Sequence, residues 1–181
     1  MNYKYQHLID NTSRGNELRH FINHYIKDCK ILLDMNCGFS PLVKEYCMSK
    51  RVIGFDSNPE IINWLEKYRR YGKWHFATDH NYADFLTHLS DIEPDCIMLL
   101  GMGCGQYKHE SKTEVKSLIT LVKEYKPKTV IIEKAEDLPN DHWNEIQMEL
   151  PREYKEVLDC EYDSGLKHCA KRLLKIYTWQ K

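Results

Sequence analysis

Several features are missing from this 181-residue sequence, and each absence closes a class of function. No stretch approaches the roughly 18 consecutive apolar residues of a membrane span. The opening residues Met1 to His7 lack the apolar core of a secretory leader. The 7 cysteines are odd in number and contain no CxxC pair, which argues against a zinc site and against a disulfide framework. They read as reduced thiols of a cytoplasmic protein, and no metal is expected. Neither charge dominates: 26 Lys and Arg face 27 Asp and Glu, so no global basic field draws the chain to nucleic acid. Repeats, low-complexity tracts and Pro-, Gly- or Ser-rich linkers are missing too. One domain over residues 1–181 is expected, with residues 1–12 as a flexible tail.

What is present is alternation. Short apolar runs are separated by amphipathic stretches, the rhythm of βαβ units around a parallel sheet. The spacing predicts a helix over 13–28, capped from Asn11, Thr12 or Ser13, and a buried strand at Lys30–Asp34. A turn over Met35–Ser40 and a helix from Pro41 through Lys50 follow. Strands are expected at Arg51–Asp56, Lys73–Ala77, Asp95–Leu100 and Lys128–Glu133. Helices are expected after Ser57-Asn58-Pro59-Glu60, over 81–90, over 111–125 and around 140–149. The pattern closes on a hairpin, Tyr154–Glu161 and Arg172–Trp179, turning at Asp163-Ser164-Gly165. In its second arm Leu174, Ile176 and Thr178 share one face, with Leu173, Lys175 and Tyr177 on the other.

Chemistry is expected where the strands end. The first strand runs into Leu33-Asp34-Met35-Asn36-Cys37-Gly38-Phe39-Ser40: a carboxylate, then residues that permit a tight turn, then a helix. Open α/β sheets hold ligands at such places, although a plain strand-turn-helix connection reads the same way. About 20 residues on, the second strand ends at Asp56, the position of a ribose-binding carboxylate in nucleotide-binding units; the competing role is capping the next helix. The first loop lacks G-x-G-x-x-G, so a nicotinamide enzyme is disfavoured. Gly101-Met102-Gly103-Cys104-Gly105 lacks the lysine and serine of a phosphate-binding P-loop and reads as an active-site edge.

Leu33 to Ser40, followed by Val52-Ile53-Gly54-Phe55-Asp56-Ser57-Asn58-Pro59-Glu60, resembles the first two motifs of class I S-adenosylmethionine-dependent methyltransferases. The resemblance runs from about residue 13 onward. It implies a Rossmann-like three-layer α/β/α sandwich, with a mostly parallel seven-stranded sheet ending in an antiparallel hairpin. It also implies S-adenosylmethionine as cofactor and S-adenosylhomocysteine as product. Asp34, Asn36 and Gly38 would approach the methionine part and Asp56 the ribose; Cys37, Ser40, Ser57 and Gly101 join them as cofactor-binding residues, with Asp79, paired with His80, near the adenine. Gly101, Met102, Gln106, Tyr107 and His109 would edge the acceptor, with Tyr107, His109 and Glu133 as catalytic candidates, imidazole titrating near neutral pH. Asn36 and Ser40 stand where the family usually has glycines. That departure supports a second reading, a non-catalytic protein that binds the cofactor or a nucleotide, and restoring glycine there should then tighten binding only if a pocket persists. A third is an enzyme using the same cofactor for another reaction.

No Asn-Pro-Pro-Tyr or Asp-Pro-Pro-Tyr follows the fourth strand, which disfavours amino-methylating DNA enzymes. A chain this short has little room for a recognition domain, so a small-molecule acceptor is expected. Protein partners or a homo-oligomer stay open. Two basic groups, Lys123, Lys126, Lys128 and Lys134, and Lys167, Lys171, Arg172 and Lys175, read as solvated faces.

Overall fold

The computed structural model describes residues 21–38, 51–68, 72–76, 92–102, 111–136, 141–163 and 171–180. Residues 21–26 are helical. Then follow β1 (Ile31–Met35), β2 (Arg51–Asp56), α1 (Pro59–Tyr68), β3 (Lys73–Phe76) and β4 (Cys96–Met102). The chain continues through α2 (Ser111–Tyr125), β5 (Thr129–Ala135), α3 (Asp141–Glu149), β6 (Tyr154–Asp163) and β7 (Lys171–Trp179). The expected helices at 41–50 and 81–90, and the hairpin turn, lie outside the described residues.

Local chemistry sets the boundaries. Asn58 opens α1: its Oδ1 accepts from the Glu60 N–H at 2.9 Å, and its carbonyl accepts from the N–H groups of Ile61 and Ile62. Pro59 then sits where its missing N–H costs nothing. At the far end of α2, Lys126 takes a left-handed φ of 47° and donates its N–H to the Val122 carbonyl. Pro127, unable to continue the helix, follows.

The seven strands form one sheet in the order β3-β2-β1-β4-β5-β7-β6. Neighbours from β3 through β5 are parallel, whereas β7 runs antiparallel to both β5 and β6. Alternate residues feed two cores. Leu33, Ile53, Ile97, Leu99, Val130 and Ile132 face α2 and α3, meeting Val115, Leu118, Val122, Trp143 and Ile146. Leu32, Val52, Cys96, Met98 and Ile131 face the other way, against Ile22, Ile26, Ile62 and Leu65. β7 obeys the same rule: Leu174 and Ile176 join the second core, Leu173 and Tyr177 the first. With helices on both faces the sheet is the middle of three layers, and continuous apolar runs are what such a strand requires. Gly54 marks a close approach: a Cβ there would come within 2.6 Å of the Trp74 ring and 2.9 Å of Cys37 Cβ.

Two basic residues read from the sequence as solvated are not. Lys134 and Arg172 are both fully buried, at 0% exposure. The Lys134 ammonium lies 5.6 Å from the centre of the Trp143 ring, and Arg172 meets Glu133. By contrast Lys123 pairs with Glu149, Lys128 with Asp95, and Lys171 with Glu161, all with well-exposed lysine side chains. Among the described residues no helix is long and apolar enough to cross a membrane.

Candidate functional site

Chain direction decides where a ligand can sit. From β1 the sheet is built outward through β2 to β3, and then on the other side from β4. In open α/β sheets the carboxyl ends of the strands flanking such a reversal, here β1 and β4, are where ligands bind.

The β1 end is shaped by two left-handed residues, Asn36 at φ 56° and Gly38 at φ 52°. Asparagine is among the few side chains that adopt this conformation readily. Among the described residues, a Cβ built on Gly38 would meet nothing nearer than the Asn36 carbonyl at 3.9 Å. The loop is tied to β2 by backbone groups. The Cys37 N–H donates to the Phe55 carbonyl at 2.8 Å, and the Gly38 N–H to Asp56 Oδ2 at 2.9 Å. Asp56 Oδ1 accepts from the Asn58 N–H at 2.9 Å. One carboxylate thus fastens the first loop to the start of α1, which leaves helix capping itself to Asn58. Ser57 follows, half-buried.

Charge accumulates around this loop. Asp34 is buried in β1, opposite Gly54 on one side and Met98 on the other. Burial pushes the Cys37 thiol well above its ordinary value, and the carboxylates of Asp34 and Asp56 push it further. A thiol so protected is a small apolar filler, not a nucleophile. Asn36 Nδ2 donates to Glu114 Oε1, 2.6 Å away on the first turn of α2, and Glu114 is itself buried.

The neighbouring strand ends form a second group. Gly101, expected in a loop, is still in β4, with φ 77° where the pairing to β5 shifts register. Its N–H donates to Glu133 Oε2 at 2.6 Å. Glu133, expected to end its strand, lies inside β5 with no exposure. Arg172 Nε reaches Glu133 Oε1 at 3.1 Å and Nη2 reaches Oε2 at 3.0 Å, while the Tyr162 hydroxyl also donates to Oε1. Phe21 packs on Tyr162 with ring centres 5.9 Å apart. A two-pronged guanidinium plus two further donors is the partner set a buried carboxylate needs. Met102, expected beside the acceptor, is buried in the first core.

Asp34, Asn36, Cys37, Gly38, Asp56 and Ser57 are thus gathered at the ends of β1 and β2, with Gly101 and Glu133 bonded to one another within the next two strands. Ser40, Asp79, His80, Gln106, Tyr107 and His109 lie outside the described residues. Sequence reading passed over Glu114, Tyr162 and Arg172. Glu114 showed only as an acid in a helix's first turn, and Arg172 as one charge in a basic run.

Neither a protein-family model nor a curated protein matches the sequence. Solved structures do match in fold. The N-methyltransferase NodS from Bradyrhizobium japonicum WM9 superposes with a TM-score of 0.65 at 14% identity, over 93% of this chain and 98% of that one. The glycopeptide N-methyltransferase MtfA gives 0.66 at 10% identity, over 92% and 90%. The 1,6-didemethyltoxoflavin-N1-methyltransferase of Burkholderia thailandensis, solved with 1,6-didemethyltoxoflavin and S-adenosylhomocysteine bound, gives 0.62 at 10% identity, over 93% and 79%. The architecture is the Rossmann-like fold of class I S-adenosylmethionine-dependent methyltransferases.

Proposed function

We propose that this chain binds S-adenosylmethionine at the carboxyl ends of β1 and β2 and directs its methyl group to a small-molecule acceptor. The observation that carries the reading is the pair of left-handed residues, Asn36 and Gly38, at the end of β1, where the sheet order reverses, with the Gly38 N–H donating to Asp56. A glycine at this left-handed position also lets a ligand come close to the backbone. The fold neighbours support it, since one holds S-adenosylhomocysteine together with a small heterocyclic substrate.

On this reading Asp34, Asn36, Cys37, Gly38 and Ser40 surround the methionine portion. Asp56, with Ser57, takes the ribose, and Asp79 serves the adenine. The cofactor, when bound, supplies an activated methyl on a sulfonium. What the protein adds is alignment of the acceptor for a nearly linear approach, and exclusion of water from that line. Gly101 borders the acceptor, and Tyr107 or His109 orients it or removes its proton. Glu133 acts at one remove, as a positioning residue whose carboxylate fixes the Gly101 N–H.

The test is calorimetric titration with S-adenosylmethionine and S-adenosylhomocysteine. Saturable binding near one-to-one is expected, with Asp56→Ala weakening it about a hundredfold while the protein stays folded by circular dichroism. Unchanged affinity in that variant would remove Asp56 from the ribose. No binding of either ligand by the unaltered protein would favour a fold that no longer uses the cofactor.

A further inference from the structure

A glycine is expected at position 36 by comparison with the methyltransferase motif, and its replacement by asparagine looks like decay. The geometry points to a different role: we infer that Asn36 and Glu114 form a clamp that holds the cofactor loop in its left-handed shape, with Glu114 as a positioning residue for cofactor binding. This rests on the cofactor site proposed above.

Three observations carry it. Asn36 takes a left-handed backbone, at φ 56°, the region that glycine enters without steric cost. Its side chain is committed across the crevice: Nδ2 to Glu114 Oε1 at 2.6 Å joins residues 78 apart in sequence. Glu114 is only 2% exposed. A carboxylate buried that deeply requires donors, and a hydrogen bond to it is of the stronger, charge-assisted kind. Glycine could reach the same φ but could not hold it, because it is the most mobile residue in the unbound loop. The amide–carboxylate contact restrains the loop in advance of binding, so less ordering is left for the ligand to impose. It also couples the loop to α2.

The experiment has two arms. In the first, which needs no ligand, amide hydrogen exchange is followed in the unaltered protein and in Glu114→Ala, Glu114→Gln, Asn36→Gly and the Glu114→Ala/Asn36→Gly double variant. Exchange at Cys37 and Gly38 is expected to quicken about tenfold in Glu114→Ala and in Asn36→Gly, with no further gain in the double variant. Exchange at Leu33 and Ile97 should stay put, and Glu114→Gln, which keeps an acceptor oxygen, should resemble the unaltered protein. Unchanged loop exchange in Glu114→Ala, or additive effects in the double variant, overturns the clamp. In the second arm, S-adenosylhomocysteine affinity should fall about tenfold in Asn36→Gly and Glu114→Ala alike. Tighter binding by Asn36→Gly overturns the inference. If the unaltered protein binds no S-adenosylhomocysteine, the cofactor reading and Glu114's part in it fall, while the exchange arm still decides the clamp.

Discussion

Asp56 and Asp95 are both taken by backbone N–H groups, yet they sit at opposite ends of the sheet and serve opposite needs. Asp56 stands at the carboxyl end of β2, beside the crevice. Asp95 precedes β4 at the amino end, where its Oδ2 accepts from the N–H groups of Lys30 and Ile31 at 2.9 and 3.1 Å. Partial burial works against its charge, but those two N–H groups and Lys128 outweigh it and hold the carboxyl below its usual range. A carboxyl lowered in the folded state stabilises the fold above the ordinary aspartate range, and that contribution is lost as pH falls through the folded value. Asp95→Asn should therefore cost about 1–2 kcal/mol at pH 7, as expected for lost hydrogen bonds to a charged group. Urea denaturation at pH 7, 5 and 3 checks it: the deficit should persist at pH 5 and shrink toward pH 3. A deficit independent of pH would make the contribution steric.

At the scale of elements, β7 carries the most demanding residue in the molecule. Arg172 and Glu133 are fully buried, so neither tolerates loss of the other. Arg172→Met should destabilise by about 3–5 kcal/mol, with part recovered in Arg172→Met/Glu133→Gln, because the first change strands a charge and the second removes it. Thermal and urea unfolding measure both, and equal losses in the two variants would deny the pair its electrostatic character. This element also shows where sequence reading stops. β2 and α2 fall on the spans their spacing predicts, because an apolar period and a cap are local signals. β4 and β5 each run two residues past their expected ends. Gly101 and Lys134 do not look like strand residues until Glu133 is seen taking the Gly101 N–H and Trp143 is seen beside Lys134. Asp34, Asn36, Gly38 and Asp56 were legible as a candidate site because a strand end followed by a turn is written in adjacent residues. Glu114 and Tyr162 were not, since contacts across 78 and 29 residues depend on sheet order, which no spacing records.

For the whole molecule, the proposed ligand would touch the ends of β1 and β2 at once. Binding there should stabilise the folded state as a unit. S-adenosylhomocysteine at about a hundred times its dissociation constant should add about 2.7 kcal/mol, which for a chain of this size raises the melting temperature by about 5–10 °C. Differential scanning fluorimetry over a ligand series reads this directly. A melting temperature that ignores ligand concentration would contradict binding to the native state.

The position of β7 has a consequence for how the protein comes into being. Although it follows β6 in the chain, it lies between β5 and β6, contacting both. While the ribosome has yet to deliver residues 171–179, β5 keeps a bare hydrogen-bonding edge, β6 lacks the strand it pairs with, and Glu133 waits without its guanidinium. The nascent chain can assemble β1 to β5 in order of synthesis, but the sheet closes only when a late segment slides into a gap left for it. Until that moment the exposed edge of β5 invites pairing with other chains.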